Sequence, residues 1–300
     1  MSTTTSARSD VPARLPTLSR RRKVKDGMAA GLIGLAFLFA LIPLVWVLWT
    51  VISRGLPVVL NIDWWTQSQR LVGPLDEGGG ALHAIIGTLV QAFFASIIAI
   101  PLGILGGILL VEYPENKLIK PLSFMTDVLT GIPSIVSALF IYAAFVTAFG
   151  WNRMGFLVSL ALVLLMIPVI VRGTEEMLRI VPNELREASY ALGVPRWKTV
   201  LRIVIPTAMT GIITSIMLGL ARIMGETAPL LILVGYTSSI NWNPFQGEQA
   251  ALPLMINVER TNPLPPAQDR TWGAAFTLIL IVMLLSLGAR LLGRFAGVKK

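Results

Sequence analysis

The sequence predicts an all-α membrane protein with six transmembrane helices and both termini in the cytoplasm. Its 300 residues are 54% hydrophobic and only 14% charged, and the apolar residues are concentrated in long runs. A soluble protein of this length would need far more charged side chains to cover its surface. The fold class therefore follows from the composition, from the length of the apolar runs and from the placement of the basic residues.

Six segments are candidate spans, because a bilayer core of about 30 Å needs roughly 20 helical residues to cross it. Four of these segments contain no Asp, Glu, Lys or Arg: 27–52, 78–111, 128–151 and 154–171, the last of which is only just long enough. Two more spans can be drawn at about 205–234 and 272–292. The first run is about twice as long as the 7–15 apolar residues of a signal peptide, so we expect it to be retained as a span.

The predicted organisation is a core of five transmembrane helices that follows the first span. The core covers residues 83–290 and includes a cytoplasmic loop at 181–206 and a periplasmic loop at 236–270, whose prolines exclude one continuous helix. Three further segments are a disordered basic cytoplasmic arm, a periplasmic segment and a cytoplasmic tail, at 1–26, 53–80 and 291–300.

The basic residues orient the protein in the membrane. Nineteen of the 25 lysines and arginines lie on the side of the N-terminus, five lie on the opposite side, and Arg222 lies within a span. This asymmetry predicts cytoplasmic termini. It also accounts for the net charge of +9 without a nucleic-acid partner, so membrane lipid is the expected environment.

The polar and aromatic residues near the external side suggest no metal chemistry. The chain has no cysteine, and its single histidine, His83, cannot form a histidine metal site alone. His83 lies where the second span begins, which favours an interfacial polar residue. Trp64 and Trp65 suit the aromatic belt at the membrane interface.

Prolines next to small residues predict helix breaks in two spans. Pro101 lies in the second span, and Gly131 and Pro133 lie in the third. A break inside a membrane is tolerated where a neighbouring helix or a watered cavity satisfies the freed backbone groups. Such breaks often mark a transport pathway, and a packing kink is an equally good interpretation of either proline.

The loop between spans 4 and 5 predicts a helix, a sharp turn and a second helix at the membrane surface. Pro182 suits a helix start, and Leu185, Ala188 and Leu192 repeat at helical spacing. Gly193 suits a C-terminal cap because it accepts a positive φ, and Pro195 suits the first turn of the next helix. A plain surface loop between spans is the alternative.

This loop resembles the EAA signature of ABC importer permeases. The matching residues are Glu187, Ala188, Ser189, Gly193 and Pro206, with Ser189 standing where the family has its second Ala. The resemblance implies the type I ABC importer permease fold. It also implies that the loop is a coupling helix, in which Glu187 and Gly193 anchor and shape the contact with a cytoplasmic ATPase.

The chain carries no phosphate-binding G-x-x-x-x-G-K-[ST] motif. We therefore expect it to bind no ATP and to need no cofactor of its own. ATP is expected to be used by a separate ATPase chain, so that this chain is a transport subunit and not an enzyme.

A second functional signal lies in span 5, where Arg222 falls near the bilayer midplane. A lone Arg there costs about 2.5–3.5 kcal/mol on insertion scales, and Glu226 is one helical turn away. Pro229 cannot donate a hydrogen bond to Gly225, so the helix is expected to break beside the charge. A guanidinium suits an oxyanion, while a structural ion pair between two subunits is the alternative.

The segment from Arg222 to Leu231 resembles the R-A-x-G-E-T-A-P block of phosphate-specific ABC permeases. Two other segments, 129–136 and 87–113, resemble the third and second spans of that family, and 243–253 looks more like its A-type subunit, PstA. The resemblance implies a substrate pathway that includes Arg222, Glu226, Thr227 and Arg172. As an interfacial basic residue, Arg172 is also explained by topology alone.

The same resemblance implies partners and a location. These are a C-type permease as the second half of a heterodimer, two copies of the ATPase, a periplasmic phosphate-binding protein and the bacterial inner membrane. Three alternatives remain open: an importer of another oxyanion such as sulfate or molybdate, a proton-coupled secondary carrier that uses Glu226 as a relay, and a membrane scaffold or sensor that transports nothing.

Overall fold

The computed structural model describes residues 20–73 and 75–296, and all regular secondary structure in these residues is helical. The helices are α1 (Arg20–Val59), α2 (Ile62–Thr66), α3 (Leu82–Glu112), α4 (Ile119–Gly131), α5 (Ser134–Ile141), α6 (Gly155–Ile180), α7 (Asn183–Ala191), α8 (Arg196–Thr199), α9 (Ile205–Met224), α10 (Ala228–Leu233), α11 (Leu252–Glu259) and α12 (Pro265–Ala296). Two π-helical stretches, Tyr142–Ala148 and Val200–Val204, extend α5 and join α8 to α9.

The chain divides into two compact units, residues 1–50 and 51–300. The described part of the first unit belongs to α1, whose side chains between 21 and 49 are exposed except for the half-buried Leu41. The disordered arm predicted for residues 1–26 is wrong for residues 20–26, which are helical, and its other residues lie outside the described part of the chain. Lys and Arg are good helix formers, so a transmembrane helix can continue past the bilayer.

Five helical segments are long and apolar enough to cross a membrane, and a sixth span exists if one bent pair is counted. The five are 21–59, 82–112, 155–180, 196–224 and 265–291. The bent pair is Ile119–Gly131 and Ser134–Ala148, which meet at 110°.

The chain turns sharply between Gly131 and Ser134, at the two residues, Gly131 and Pro133, where the sequence predicts a helix break in the span 128–151. Ile132 is extended there, with φ −73° and ψ 128°. A proline fixes its own φ, lacks an N–H and disfavours helical geometry in the residue before it. Pro133 therefore ends α4 and becomes the N-cap of α5.

The helix break predicted at Pro101 is wrong, since α3 continues through it from Leu82 to Glu112. Pro168 likewise lies inside α6. A proline in a helix interior removes one backbone hydrogen bond, and long helical segments on both sides can keep the helix continuous. At Pro133, by contrast, the preceding residue Ile132 is extended and the helix ends.

Small residues bring the helices of the core into close contact. A Cβ at Gly103 would lie 2.6 Å from the Cβ of Ile170, and a Cβ at Gly107 would lie 2.6 Å from the Cβ of Thr174. The backbones of α3 and α6 can approach this closely only because both positions lack a side chain. Helix α6 forms the centre of the core, with fully buried side chains such as Leu157.

A buried polar network joins the loops at one end of the bundle. Tyr236 donates to Gln69 Oε1 at 2.6 Å, and Gln69 donates to Glu259 Oε1 at 3.0 Å. Glu259 also pairs with Arg270, whose Nε lies 3.2 Å from its Oε2. Burial raises the pKa of Tyr236 well above its usual value, and Glu259 adds to the shift, so the phenol keeps its proton and remains a donor.

The interfacial predictions for His83 and Trp64 are wrong, because both side chains are about 1% exposed. His83 Nε2 lies 3.2 Å from the hydroxyl of Tyr236, and Trp64 Nε1 donates to Thr277 Oγ1 at 2.8 Å. These two ring nitrogens find partners on distant segments of the chain, which helps the two side chains to be buried. The other ring nitrogen of His83, Nδ1, is buried without a hydrogen-bond partner among the described residues.

Gly107→Val is expected to destabilise the core, because the new side chain would overlap Thr174 on α6. Overpacking of this kind costs about 1–3 kcal/mol. The measurement is the thermal unfolding midpoint of the purified chain in detergent. Gly288→Val is the matched control, since nothing lies within 4 Å of a Cβ at Gly288. Equal midpoints for the two variants would contradict the close contact of α3 with α6.

Candidate functional site

The candidate site begins where the helix that carries Arg222 is interrupted. Helix α9 ends at Met224, and the N–H of Gly225 turns back to the carbonyl of Arg222 at 3.2 Å. Helix α10 begins at Ala228 with Pro229 in its first turn. The span drawn at about 205–234 is therefore two helices, separated by residues 225–227, where Gly225 and Pro229 led us to expect a break.

Three residues that the sequence singled out form this interruption: Gly225, Glu226 and Thr227. Thr227 is the N-cap residue of α10, and its carbonyl accepts the N–H of Leu231 at 3.2 Å. Gly225 has an ordinary φ of −92°, and a Cβ there would meet only the carbonyl of Arg222 at 3.7 Å. This backbone conformation therefore does not itself require a glycine.

Arg222 is exposed in the last turn of α9. It lies at the edge of the helix face that includes the buried residues Ala208, Ile212 and Ile223. The side chain of Arg222 is 42% exposed, and its Nε lies 3.9 Å from Glu226 Oε1, which is too long for a hydrogen bond. Within the described residues, the guanidinium donates no hydrogen bond and is available to a ligand.

Glu226 faces the interior and lines a cavity of about 10 Å³. Thr88 and Gln91 of α3 line the same cavity, together with Ala251. Such a space has room for about one water molecule. The carboxylate thus lies between an exposed cation on one side and a small polar cavity on the other.

The segment before α11 packs against α3 beside this cavity. Gln91 donates to Gln249 Oε1 at 3.1 Å, and Thr88 Oγ1 accepts the N–H of Leu252 at 2.8 Å. A Cβ at Gly87 would lie 2.9 Å from the carbonyl carbon of Ala250, so only glycine lets this segment lie so close to α3. The segment covers one side of the Glu226 cavity.

Gln91 and Arg153 belong to the site, although the sequence did not single them out. Arg153 donates to the carbonyls of Leu231 and Val234 at 3.2 and 3.0 Å, and so caps the end of α10. No local pattern predicts this contact. Gln91 carried a detectable signal, because an amide inside an otherwise charge-free apolar run is costly unless it is bonded.

Arg172 is placed in a different polar cluster, which links α4 to α6. It forms ion pairs with Asp127 and with Glu175, the latter at 2.6 Å, and donates to Ser123 Oγ at 3.0 Å. In the described structure it makes no contact with Arg222. Its guanidinium is occupied by these partners, and its role in a substrate pathway stays a prediction.

The loop between α6 and α9 contains the helix–turn–helix that the sequence predicted, and we call residues 183–199 the elbow. Helix α7 is followed by Gly193, whose φ of +74° suits glycine, and by α8 with Pro195 as its N-cap residue. The N–H of Gly193 bonds the carbonyl of Tyr190 at 2.9 Å. Ser189 Oγ lies 2.8 Å from Thr199 Oγ1, which joins the two helices.

The outer surface of the elbow exposes large apolar side chains beside charged ones. Leu192 is 83% exposed and Trp197 is 56% exposed, while Glu187 and Ala188 are exposed on the same helix–turn–helix. Pro206 lies at the start of α9, just after the elbow and the π-helical stretch. Clustered large apolar side chains of this kind are typical of a surface that another protein covers.

The fold resembles that of solved ABC transporters. The chain aligns with a bacterial ABC transporter involved in the import of the acidic polysaccharide alginate, with a TM-score of 0.59, 15% identity and coverage of 93% of this chain and 100% of that one. It aligns with the inward-facing MetNI methionine ABC transporter with a TM-score of 0.56, 19% identity and coverage of 72% and 94%. The fold is therefore that of a type I ABC importer permease.

Sequence comparison shows which ABC importer permeases the chain is most usefully compared with. Residues 99–296 match the family described as the binding-protein-dependent transport system inner membrane component. The chain is 50% identical over 289 residues to phosphate transport system permease protein PstA 1 of Mycobacterium tuberculosis (strain CDC 1551 / Oshkosh), covering 96% of this chain and 95% of that protein. It is 52% identical over 268 residues to PstA of Mycobacterium leprae (strain TN), covering 89% and 88%.

The chain therefore belongs to the family of binding-protein-dependent inner-membrane permeases and, within it, to the PstA permeases. As such it is a multi-pass inner-membrane protein and a transport subunit, not an ATPase. A permease of an ABC importer works with an ATPase and a binding protein.

Gly193→Val is expected to distort the elbow, because a β-branched residue resists the positive φ that this turn requires. The left-handed conformation costs about 1–2 kcal/mol for a residue with a Cβ. Less ATPase should then co-purify with the permease complex. Gly193→Asn is the matched control, since Asn tolerates this conformation. Equal ATPase retention in both variants would show that the turn geometry is not needed for docking.

Proposed function

We propose that this chain carries inorganic phosphate across the inner membrane as a permease subunit of an ATP-driven importer. The single observation that carries the proposal is Arg222, a permanent cation exposed at a helix interruption inside a span. The names of its relatives, phosphate transport system permeases, support the same substrate.

The chemistry of Arg222 fits an oxyanion. A guanidinium presents paired N–H donors to two oxygens of a phosphate and stays charged at every physiological pH. Glu226, at 3.9 Å, is near enough to weaken the hold on an anion without occupying the donors itself. Transport requires such a balance, because an ion that is bound too tightly does not leave.

The proposed assembly contains a second permease of the C type, two copies of a cytoplasmic ATPase and a periplasmic phosphate-binding protein. Both termini lie in the cytoplasm in this proposal, as the distribution of basic residues predicts. The elbow, with Glu187 at its surface, then faces the ATPase. ATP is bound by that partner, and this chain holds no cofactor.

Arg222 by itself would accept other tetrahedral oxyanions, so uptake should also be measured in competition with sulfate and molybdate. A proton-coupled carrier that uses Glu226 leaves the exposed elbow without a role. Uptake that survives deletion of the ATPase would favour that carrier over the importer.

Arg222→Gln in the complete transporter is expected to lower phosphate uptake by roughly 10- to 100-fold, because hydrogen bonds to charged groups contribute about 1.5–3 kcal/mol. Uptake of radiolabelled phosphate into proteoliposomes measures the effect at equal protein levels. Arg222→Lys should recover part of the uptake, since it restores the charge but not the paired donors.

The matched control is Arg260→Gln, which removes an arginine whose guanidinium, within the described residues, donates hydrogen bonds only to Asn257 of the adjoining α11. Its uptake should match that of the wild type. Wild-type uptake by Arg222→Gln would refute a role for this cation in the pathway.

Glu187→Lys is expected to release the ATPase from the complex, because it reverses an exposed charge at the centre of the elbow. The new lysine would face any basic group of the ATPase that pairs with Glu187 in the proposed complex. Like charges placed together at an interface cost several kcal/mol, so we expect a loss of about tenfold or more in co-purified ATPase. Glu115→Lys makes the same change at an exposed position outside the elbow. If both variants retain the ATPase equally, Glu187 is not part of the docking surface.

A further inference from the structure

A buried carboxylate lies at the end of α3, next to the elbow. Glu112 is the last residue of α3, and its side chain is 3% exposed. A negative charge is unfavourable at the C-terminus of a helix, where the unpaired carbonyls already carry partial negative charge. Burial adds to that cost, so Glu112 depends on a compensating cation.

Arg186 of the elbow supplies this cation and is itself only 13% exposed. Its Nη2 and Nε donate to Glu112 Oε1 at 2.7 and 3.1 Å. The same guanidinium donates to the carbonyls of Leu178 and Val181 at 2.9 and 2.7 Å, and so caps the end of α6. One side chain of α7 therefore holds the ends of both α3 and α6.

A second contact joins the elbow to the same end of α3. The guanidinium of Arg196, in α8, lies 4.9 Å from the ring centre of Tyr113, the residue after Glu112. The Ser189–Thr199 contact joins α7 to α8. Both helices of the elbow are thus attached to α3, and they are attached to each other.

An apolar cluster extends these attachments into the bundle. Leu178 and Val181 at the end of α6 pack with Val204, Ala208 and Ile212, which lie just before and within α9. All five side chains are buried. A displacement of the elbow would therefore act on the ends of α3, α6 and α9 together, because tightly packed side chains transmit displacement and do not absorb it.

We propose that Arg186 and Glu112 are positioning residues that form the joint through which movement of the elbow reaches the transmembrane helices. The inference rests on the proposed function, because it assumes that an ATPase moves the elbow. Two neighbouring residues of α7 then have different roles. Glu187 is exposed toward the partner, whereas Arg186 points inward and holds the helix ends.

The test uses the complete transporter in proteoliposomes and measures phosphate transported per ATP hydrolysed. The variants are Arg186→Lys, Glu112→Gln and the double variant. Lysine keeps the charge, but its single ammonium group cannot reach the carboxylate and both carbonyls as the guanidinium fork does. Arg179→Gln is the matched control, because in the described part of the chain Arg179 pairs only with Glu175 of its own helix.

We expect the three variants to retain the ATPase and to hydrolyse ATP, while phosphate transported per ATP falls by roughly two- to thirtyfold, as for other changes that alter coupling between sites. The double variant should be no worse than the more severe single variant, since the two residues act as a unit. Arg179→Gln should keep the wild-type ratio.

An unchanged ratio in all three variants, even with a lower yield of complex, would overturn the inference and leave the pair a structural role only. If these variants fail to assemble, Tyr113→Leu is tested in their place. This change removes the contact of Arg196 with Tyr113 without leaving a buried charge. A lowered ratio supports the joint, and a wild-type ratio overturns it. A wild-type complex without phosphate-stimulated ATP hydrolysis would overturn the proposed function and this inference together.

Discussion

An ion placed among apolar helices costs free energy unless opposite charges or several hydrogen bonds compensate for it. Glu112 meets this requirement through Arg186, and Arg172 meets it through Asp127 and Glu175. Among the described residues, Arg222 has an ion pair only with Glu226, at 3.9 Å, and donates no hydrogen bond. Water, a bound anion or the proposed second permease can supply the remaining compensation, and this requirement connects the fold of the chain to its transport role.

Close packing between the spans allows movement of the elbow to reach the transmembrane helices. Lipid tails are as apolar as the helices, so contact between spans depends on small residues that let backbones approach each other. Gly103 and Gly107 let α3 approach α6. At the elbow end of the same pair, Arg186 binds both helix ends. In the proposed assembly, a push on the elbow can therefore reach the transmembrane helices, and among them is α9 with Arg222.

The predicted helix breaks show how much of the helix structure can be inferred from neighbouring residues alone. Pro133 ends a helix and Pro101 does not, although both lie near small residues in apolar runs. The cost of a proline is local, but whether a helix continues past it depends on the contacts made on either side. Beyond the interruption at residues 225–227, Arg153 caps the C-terminal end of the helix that follows it. That arginine lies 78 residues before the first carbonyl that it binds, so no short sequence pattern predicts this contact.

The sequence by itself determined the membrane class, the approximate spans, the cation in the fifth span and the elbow with its glycine turn. These features depend on composition, on periodicity and on turn chemistry, which act over a few neighbouring residues. Only the tertiary structure decided the 110° bend between α4 and α5, the partners of Arg172, and the pairs Gln91–Gln249 and Glu112–Arg186. The two residues of these last pairs are 158 and 74 positions apart in the chain. Such pairs form because burial forces distant polar groups to satisfy one another, and the choice of partner depends on how the helices pack.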